Sequence, residues 1–301
     1  MTERPDQDPI TSTRSPRVRK VAALTGRSAR RKQDRFRVEG PQAIRSLLTH
    51  RPDLAQELFL TARCTSDHPE LSRLAEAAAV PVREVDEQIV RAMVREATPA
   101  ASDHAAPDGA DTATGRLISP QGAIAIGRLP AEDPQTALTA LADLPATGPV
   151  TVVVLDAVRD PGNVGTLIRT ADAAGADLVI LTRTSADPFS PKAVRAAAGS
   201  LFHLPVTTGA DSPQLLEALA STGITAAATS GRATADVFTA ELPPRLAWLL
   251  GNEAHGLDAD TLRSAPLAVS IPLAGHAESL NVHTAATVCL FETLRRRRAG
   301  T

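Results

Sequence analysis

Asn163 with Arg169, then Glu253, then Ser279 with Asn281 each follow an apolar run in the second half of this 301-residue chain. Open α/β sheets collect their ligands at the carboxyl ends of strands, so these five side chains could meet in one crevice. Asn163 lies near a helix start in Asp160-Pro161-Gly162-Asn163-Val164-Gly165, with Arg169 six residues on. Glu253 brings a carboxylate to the tip of Leu246-Ala247-Trp248-Leu249-Leu250, and Gly251 between them lets a flat ligand approach the backbone. Ser279 and Asn281 open the last helix, where unpaired N–H groups suit a bound carboxylate or adenine edge. Taken singly, each has a plainer reading: a helix cap for Asn163, Ser279 or Asn281, a turn with a solvated acid for Glu253. A phosphate loop is excluded, because neither G-x-G-x-x-G nor G-x-x-x-x-G-K-[ST] occurs.

Strands and helices alternate around these residues. Val150–Leu155, 176–182, 224–229, 246–250 and 267–273 read as strands, and 164–174, 191–201, 214–221 and about 279–298 as helices. Such alternation implies a mainly parallel sheet covered on both faces. The closing run Arg295-Arg296-Arg297-Arg298 complements the dipole at a helix C-terminus, which explains it at least as well as RNA contact does.

The first half predicts a separate, small α/β unit. Residues 1–16 read as a disordered tail, 17–128 as a domain, 129–149 as a linker with a short helix near 136–144, and 150–301 as the second domain. Within 17–128, helical patterns begin at Val18 and Pro41 and span 70–79, and strands are expected at 34–40, 57–61, 80–85 and 120–126. Residues 98–115 lack periodicity and read as a surface insertion.

Hydrophobic content of 43% and charged content of 22% are globular values. The net charge of −2 hides a local bias: between Arg14 and Arg37 ten residues are Lys or Arg and one, Asp34, is acidic. Arg27, Arg30, Arg31, Lys32 and Arg35 are the candidate phosphate contacts, although a solvated basic tail has the same composition. With six Phe, one Trp and no Tyr, the chain cannot build an aromatic stacking platform. Cys64 and Cys289 show neither metal nor redox spacing and are expected to be buried; no metal site is expected. No membrane span is expected, and the chain reads as cytoplasmic.

In order and spacing, the segments Asn163–Arg169, Gly251–Leu257 and Ile271–Leu273 with Glu278–Val282 resemble the three motifs of the SpoU/TrmH family (SPOUT superfamily) of RNA ribose 2′-O-methyltransferases. The resemblance implies an α/β parallel-sheet SPOUT domain with a deep trefoil knot, preceded by a small ribosomal-protein-like substrate-binding domain. It further implies S-adenosylmethionine as cofactor, a homodimer, and RNA, foremost 23S rRNA, as partner. Arg169, Asn163, Glu253, Ser279 and Asn281 match its catalytic positions, and Leu250, Gly251, Ile271 and Leu280 its cofactor pocket. A guanidinium is effectively always protonated, so Arg169 suits orienting a hydroxyl and its phosphate better than serving as base; Glu253 would position it or take the proton. The alternatives are a tRNA 2′-O-methyltransferase and a non-catalytic RNA-binding ribosome-assembly factor.

Overall fold

The computed structural model describes residues 10–95 and 121–299; the insertion read at 98–115 and most of the N-terminal tail lie outside them. The chain divides into two units, Met1–Pro130 with Phe189–Pro191, and Ala131–Pro188 with Lys192–Thr301.

The first unit runs α1 (Pro16–Ala23), α2 (Arg27–Gln33), β1 (Arg35–Glu39), α3 (Pro41–His50), β2 (Ala55–Leu60), α4 (Ala62–Asp67), α5 (Pro69–Ala77), β3 (Val82–Glu84), α6 (Glu87–Val94) and β4 (Ala123–Arg128). Its four-stranded sheet has the order β1-β4-β2-β3, antiparallel except between β2 and β3. Pro16, read as the last tail residue, begins α1, because Ser15 accepts a hydrogen bond from the Val18 N–H and caps the helix. Helix α6, unanticipated from the sequence, buries Ile89, Val90, Met93 and Val94 in one cluster with Val18, Val21 and Leu24.

That packing consumes part of the basic stretch. Arg30 is 2% exposed and donates to the carbonyls of Leu24 and Thr25, so it closes the end of α1 and cannot be the phosphate contact expected of it. Arg37 is equally buried and donates to Glu39 Oε1 and to the Met93 carbonyl. Arg27, Arg31, Lys32 and Arg35 are exposed.

The second unit runs α7 (Pro134–Ala142), β5 (Val150–Leu155), α8 (Pro161–Ala173), β6 (Leu178–Thr182), α9 (Pro191–Ala197), β7 (Val206–Ala210), α10 (Ser212–Ser221), β8 (Thr225–Thr229), β9 (Ala235–Asp236), β10 (Arg245–Leu250), α11 (Ala259–Ser264), β11 (Leu267–Ser270) and α12 (Val282–Ala299). The strands form one seven-stranded sheet, β7-β6-β5-β10-β8-β11-β9, with every pairing parallel. All six residues of β5 are buried, as a central parallel strand covered on both faces requires. From β5 the order runs to β6 and β7 on one side and to β10, β8, β11 and β9 on the other, which is the topological switch where α/β sheets bind ligands.

Several boundaries differ from the sequence expectation. The helix expected over 191–201 stops at Ala197, where Ala198 and Gly199 both take positive φ. Strand β7, Val-Thr-Thr-Gly-Ala, has no apolar run to announce it and sits at the sheet edge. Within the stretch read as a linker, α7 buries Ala137 and Leu141 in the second unit's core.

Helix α12 is fixed to β10 by the fully buried Trp248, whose Nε1 donates to Thr293 Oγ1 at 3.1 Å. Its terminal arginines act as clamps: Arg296 donates to the carbonyls of Val237 and Ala240, Arg297 to that of Pro244, and Arg295 and Arg296 both bind Glu292. Cys64 and Cys289 are buried, and burial pushes their thiols up to about 11 and about 12, so neither is reactive near neutrality. Among the described residues no helix is long and apolar enough to cross a membrane.

Candidate active site

The three motif segments begin at the carboxyl ends of β5, β10 and β11, on one edge of the parallel sheet. Register pairs Leu155 with Leu250, and the Asp156 N–H donates to the Leu250 carbonyl, so the loops after β5 and β10 leave side by side.

The first loop turns into α8 at Pro161, whose fixed φ and missing N–H suit the first helical position. Asp160, not Asn163, is the cap: its Oδ1 accepts from the Asn163 N–H at 2.9 Å. The Asp160 Oδ2 takes Lys192 Nζ at 2.6 Å, and that lysine, with the helix-start N–H groups, holds its carboxyl below the usual range. The side chain of Asn163 is thereby left for other work.

The second loop places Glu253. Its Oε2 accepts from the Arg159 N–H, and its Oε1 from the Asp160 N–H and from Asn163 Nδ2, all at 3.0 Å. Burial acts to raise the Glu253 pKa, but these donors outweigh it and the net shift is downward. A carboxylate held this way is a positioner and a weak base.

The turn carrying Glu253 closes on itself. A Cβ on Gly251 would lie 2.3 Å from Gly256 C and Leu257 N, both backbone, so the loop's own closure already requires glycine here, a demand separate from the ligand approach that the sequence suggested. Asn252, which sequence reasoning passed over, holds the turn: its Nδ2 donates to the Ala157 carbonyl, and its Oδ1 accepts from the N–H groups of Ala254 and His255. The signal was present in the Gly-Asn pair, since Asn side chains build such turns.

The third segment reaches the other two through Asn281. Its Oδ1 accepts from the His283 N–H at 2.8 Å, capping α12, and its Nδ2 lies 3.5 Å from Asn163 Oδ1, the long limit of a hydrogen bond. His283 Nε2 also meets Thr170 Oγ1 at 2.9 Å, joining α12 to α8.

Two expectations are revised. Ser279 does not open the last helix, which begins at Val282; it is exposed and makes no hydrogen bond among the described residues. Arg169 is exposed on α8 and pairs with neither Glu253 nor Asn163, so the proposed positioning of its guanidinium by Glu253 is absent.

Of the four pocket positions, Leu250 and Gly251 are buried in sheet and loop, Ile271 is half-buried, and Leu280 is 36% exposed. From Ile271 to Leu280 the backbone forms no hydrogen bond among the described residues, and Leu273 and Leu280 present apolar side chains beside it. Free backbone donors and acceptors next to apolar surface fit an adenine and an amino-acid moiety, as S-adenosylmethionine would need. Among the described residues no three His, Cys, Asp or Glu side chains could hold a metal.

Residues 150–291 match the SpoU rRNA Methylase family, a span that contains every motif described above. The second unit is a SpoU-family methylase domain. The chain is 41% identical over 140 residues to the Bacillus subtilis 23S rRNA (guanosine(2553)-2′-O)-methyltransferase RlmP, covering 46% of this chain and 56% of that protein, just over half its length. The Pseudomonas putida 23S rRNA (guanosine-2′-O-)-methyltransferase RlmB is 29% identical across 87% of this chain and 96% of its own. An AdoMet-bound rRNA methyltransferase from Sinorhizobium meliloti superposes with a TM-score of 0.76 at 29% identity, covering 96% of this chain and 98% of that one. The SpoU domain and the smaller N-terminal α/β unit thus form the SPOUT methyltransferase fold class expected from the motifs.

Proposed function

We propose that this chain transfers a methyl group from S-adenosylmethionine to a ribose 2′-hydroxyl of RNA, with 23S rRNA as substrate. The observation that carries the reading is the chain Glu253–Asn163–Asn281, which ties all three motif segments together at the switch point of the sheet. The named activities of RlmP and RlmB, the latter matched along nearly its whole length, support rRNA over tRNA.

The cofactor, bound along Ile271–Leu280, supplies an electrophilic methyl group. The protein's part is to align the hydroxyl with it and to exclude water. Glu253 fixes the Asn163 amide and Asn163 Oδ1 meets Asn281 Nδ2, so the two asparagines face the nucleotide as a unit; Ser279 adds a hydroxyl on the same exposed stretch. Arg169, with no competing partner among the described residues, orients the 2′-oxygen and its neighbouring phosphate by a bidentate, permanently charged contact. The donors around Glu253 favour its anionic form at the cost of basicity, so its role in this reading is to position Asn163.

The proposal extends to a cytoplasmic homodimer in which the first unit captures RNA. Phe291 on α12 and Phe238, in the segment that Arg296 fastens to that helix, are 43% and 48% exposed and supply apolar surface for a partner copy.

The test is transfer of labelled methyl from S-adenosylmethionine to unmodified 23S rRNA and, separately, to bulk tRNA. Label confined to rRNA, at a position resistant to alkaline cleavage, supports the reading; label only in tRNA replaces the substrate, and absence of cofactor binding replaces the activity with RNA binding alone.

A further inference from the structure

Ala157, in the loop that leads from β5 into α8, has a φ of 56°, a left-handed conformation. Its Cβ makes that conformation unfavourable, and such residues persist where their surroundings over-determine them. Here a hydrogen bond holds the residue on each side. The Ala157 N–H donates to Thr182 Oγ1 at 3.1 Å, and its carbonyl accepts from Asn252 Nδ2 at 3.0 Å. Thr182 is the buried last residue of β6 and lies outside all three motif segments. The turn that follows it grips the same loop twice more: Ser185 Oγ donates to the Leu155 carbonyl and the Ala186 N–H to that of Val158, both at 2.8 Å. Two and three residues beyond Ala157, the N–H groups of Arg159 and Asp160 donate to the Glu253 carboxylate. A right-handed or extended Ala157 would turn those two donors away from it, because the φ of one residue sets the direction of the chain that follows.

We propose that Thr182 is a positioning residue of the site. Its hydroxyl holds Ala157 left-handed, which directs the Arg159 and Asp160 N–H groups onto Glu253, and Glu253 in turn fixes the Asn163 amide. The inference rests on the methyl-transfer reading for its effect on rate, and it adds to the site a strand end that none of the motifs contains.

The experiment pairs single-turnover methyl transfer to 23S rRNA at saturating S-adenosylmethionine with hydrogen exchange of the 156–163 backbone, read by mass spectrometry on the full chain. Thr182→Val keeps the side-chain shape and removes the acceptor. It should slow transfer about tenfold and speed exchange of that segment about tenfold, with cofactor affinity within about twofold of wild type. Thr182→Ser, which restores the acceptor, should bring both readouts back to within about threefold of wild type. In an Ala157→Gly background the left-handed conformation has no Cβ penalty, so there Thr182→Val should cost less than about threefold. A packing role for Thr182 would leave that loss undiminished. Wild-type rate and exchange in Thr182→Val, a loss that Thr182→Ser does not restore, or a full loss in the Ala157→Gly background would overturn the proposal. If the wild type methylates no RNA, the methyltransferase reading falls and exchange decides alone: the same pattern across the variants leaves Thr182 in its role, and its absence rejects that too.

Discussion

Asn163 and Glu253, ninety residues apart in sequence, are joined by a 3.0 Å hydrogen bond from Nδ2 to Oε1, and the same carboxylate accepts two backbone N–H groups of the loop that begins α8. The bond makes the position of one motif depend on the ionised state of a residue in another.

Glu253→Gln turns one acceptor into a donor facing N–H groups. Hydrogen bonds to charged groups are worth about 1.5–3 kcal/mol, so methyl transfer should fall about ten- to a hundredfold. Asn163→Ala should fall comparably, and the double variant should be no worse than the poorer single one, because the two residues act as a unit. Additive losses in that cycle would show that they work independently.

Gly251→Ala places a Cβ against backbone that no side-chain rotation can relieve. The 251–257 loop must shift, carrying Glu253 with it; we expect transfer to drop at least about a hundredfold, as a displacement near 1 Å can do, with a lowered Tm. Gly231→Ala, with open space around the position, is the control and should leave Tm within about 1–2 °C of wild type. A Gly251→Ala protein with normal rate would mean that the loop's closure does not matter to the site.

Much of this site was legible in the sequence, and the exceptions have physical causes. The long apolar runs at 150–155 and 246–250 announced the central strands because both faces of each are buried. Strand β7 was hidden by its Thr and Gly residues, and α6 by its position just before a stretch of aperiodic composition. Motif spacing found Asn163, Glu253 and Asn281, which hydrogen bonds bring together. It could not show that Asp160 caps α8, because Asp and Asn are equally good caps three residues apart. Nor could it show that Arg30, one cation among ten, turns inward onto carbonyls.

Glu292 gives the fold an acid-sensitive fastening. Hydrogen bonds from Arg295 and then Arg296 lower its pKa from 4.5 to about 2. A carboxylate depressed on folding contributes stability above its unfolded value, and that contribution is lost as pH falls from about 4.5 toward 2. Glu292→Gln should therefore have a lower Tm than wild type at pH 7, with the gap narrowing below pH 4.5. A gap that stays constant from pH 7 to pH 3.5 would show that the pair is electrostatically idle.

Arg169 offers the most direct test, because it is exposed, makes no hydrogen bond or ion pair among the described residues, and is assigned to the substrate alone. The measurement is single-turnover methyl transfer to 23S rRNA by wild type, Arg169→Ala and Arg169→Lys, alongside S-adenosylmethionine affinity and Tm for each. The account predicts that both variants fold and bind cofactor normally while transfer falls at least about a hundredfold in each, since an ammonium cannot reproduce a bidentate contact. Near-normal transfer by Arg169→Ala would contradict it.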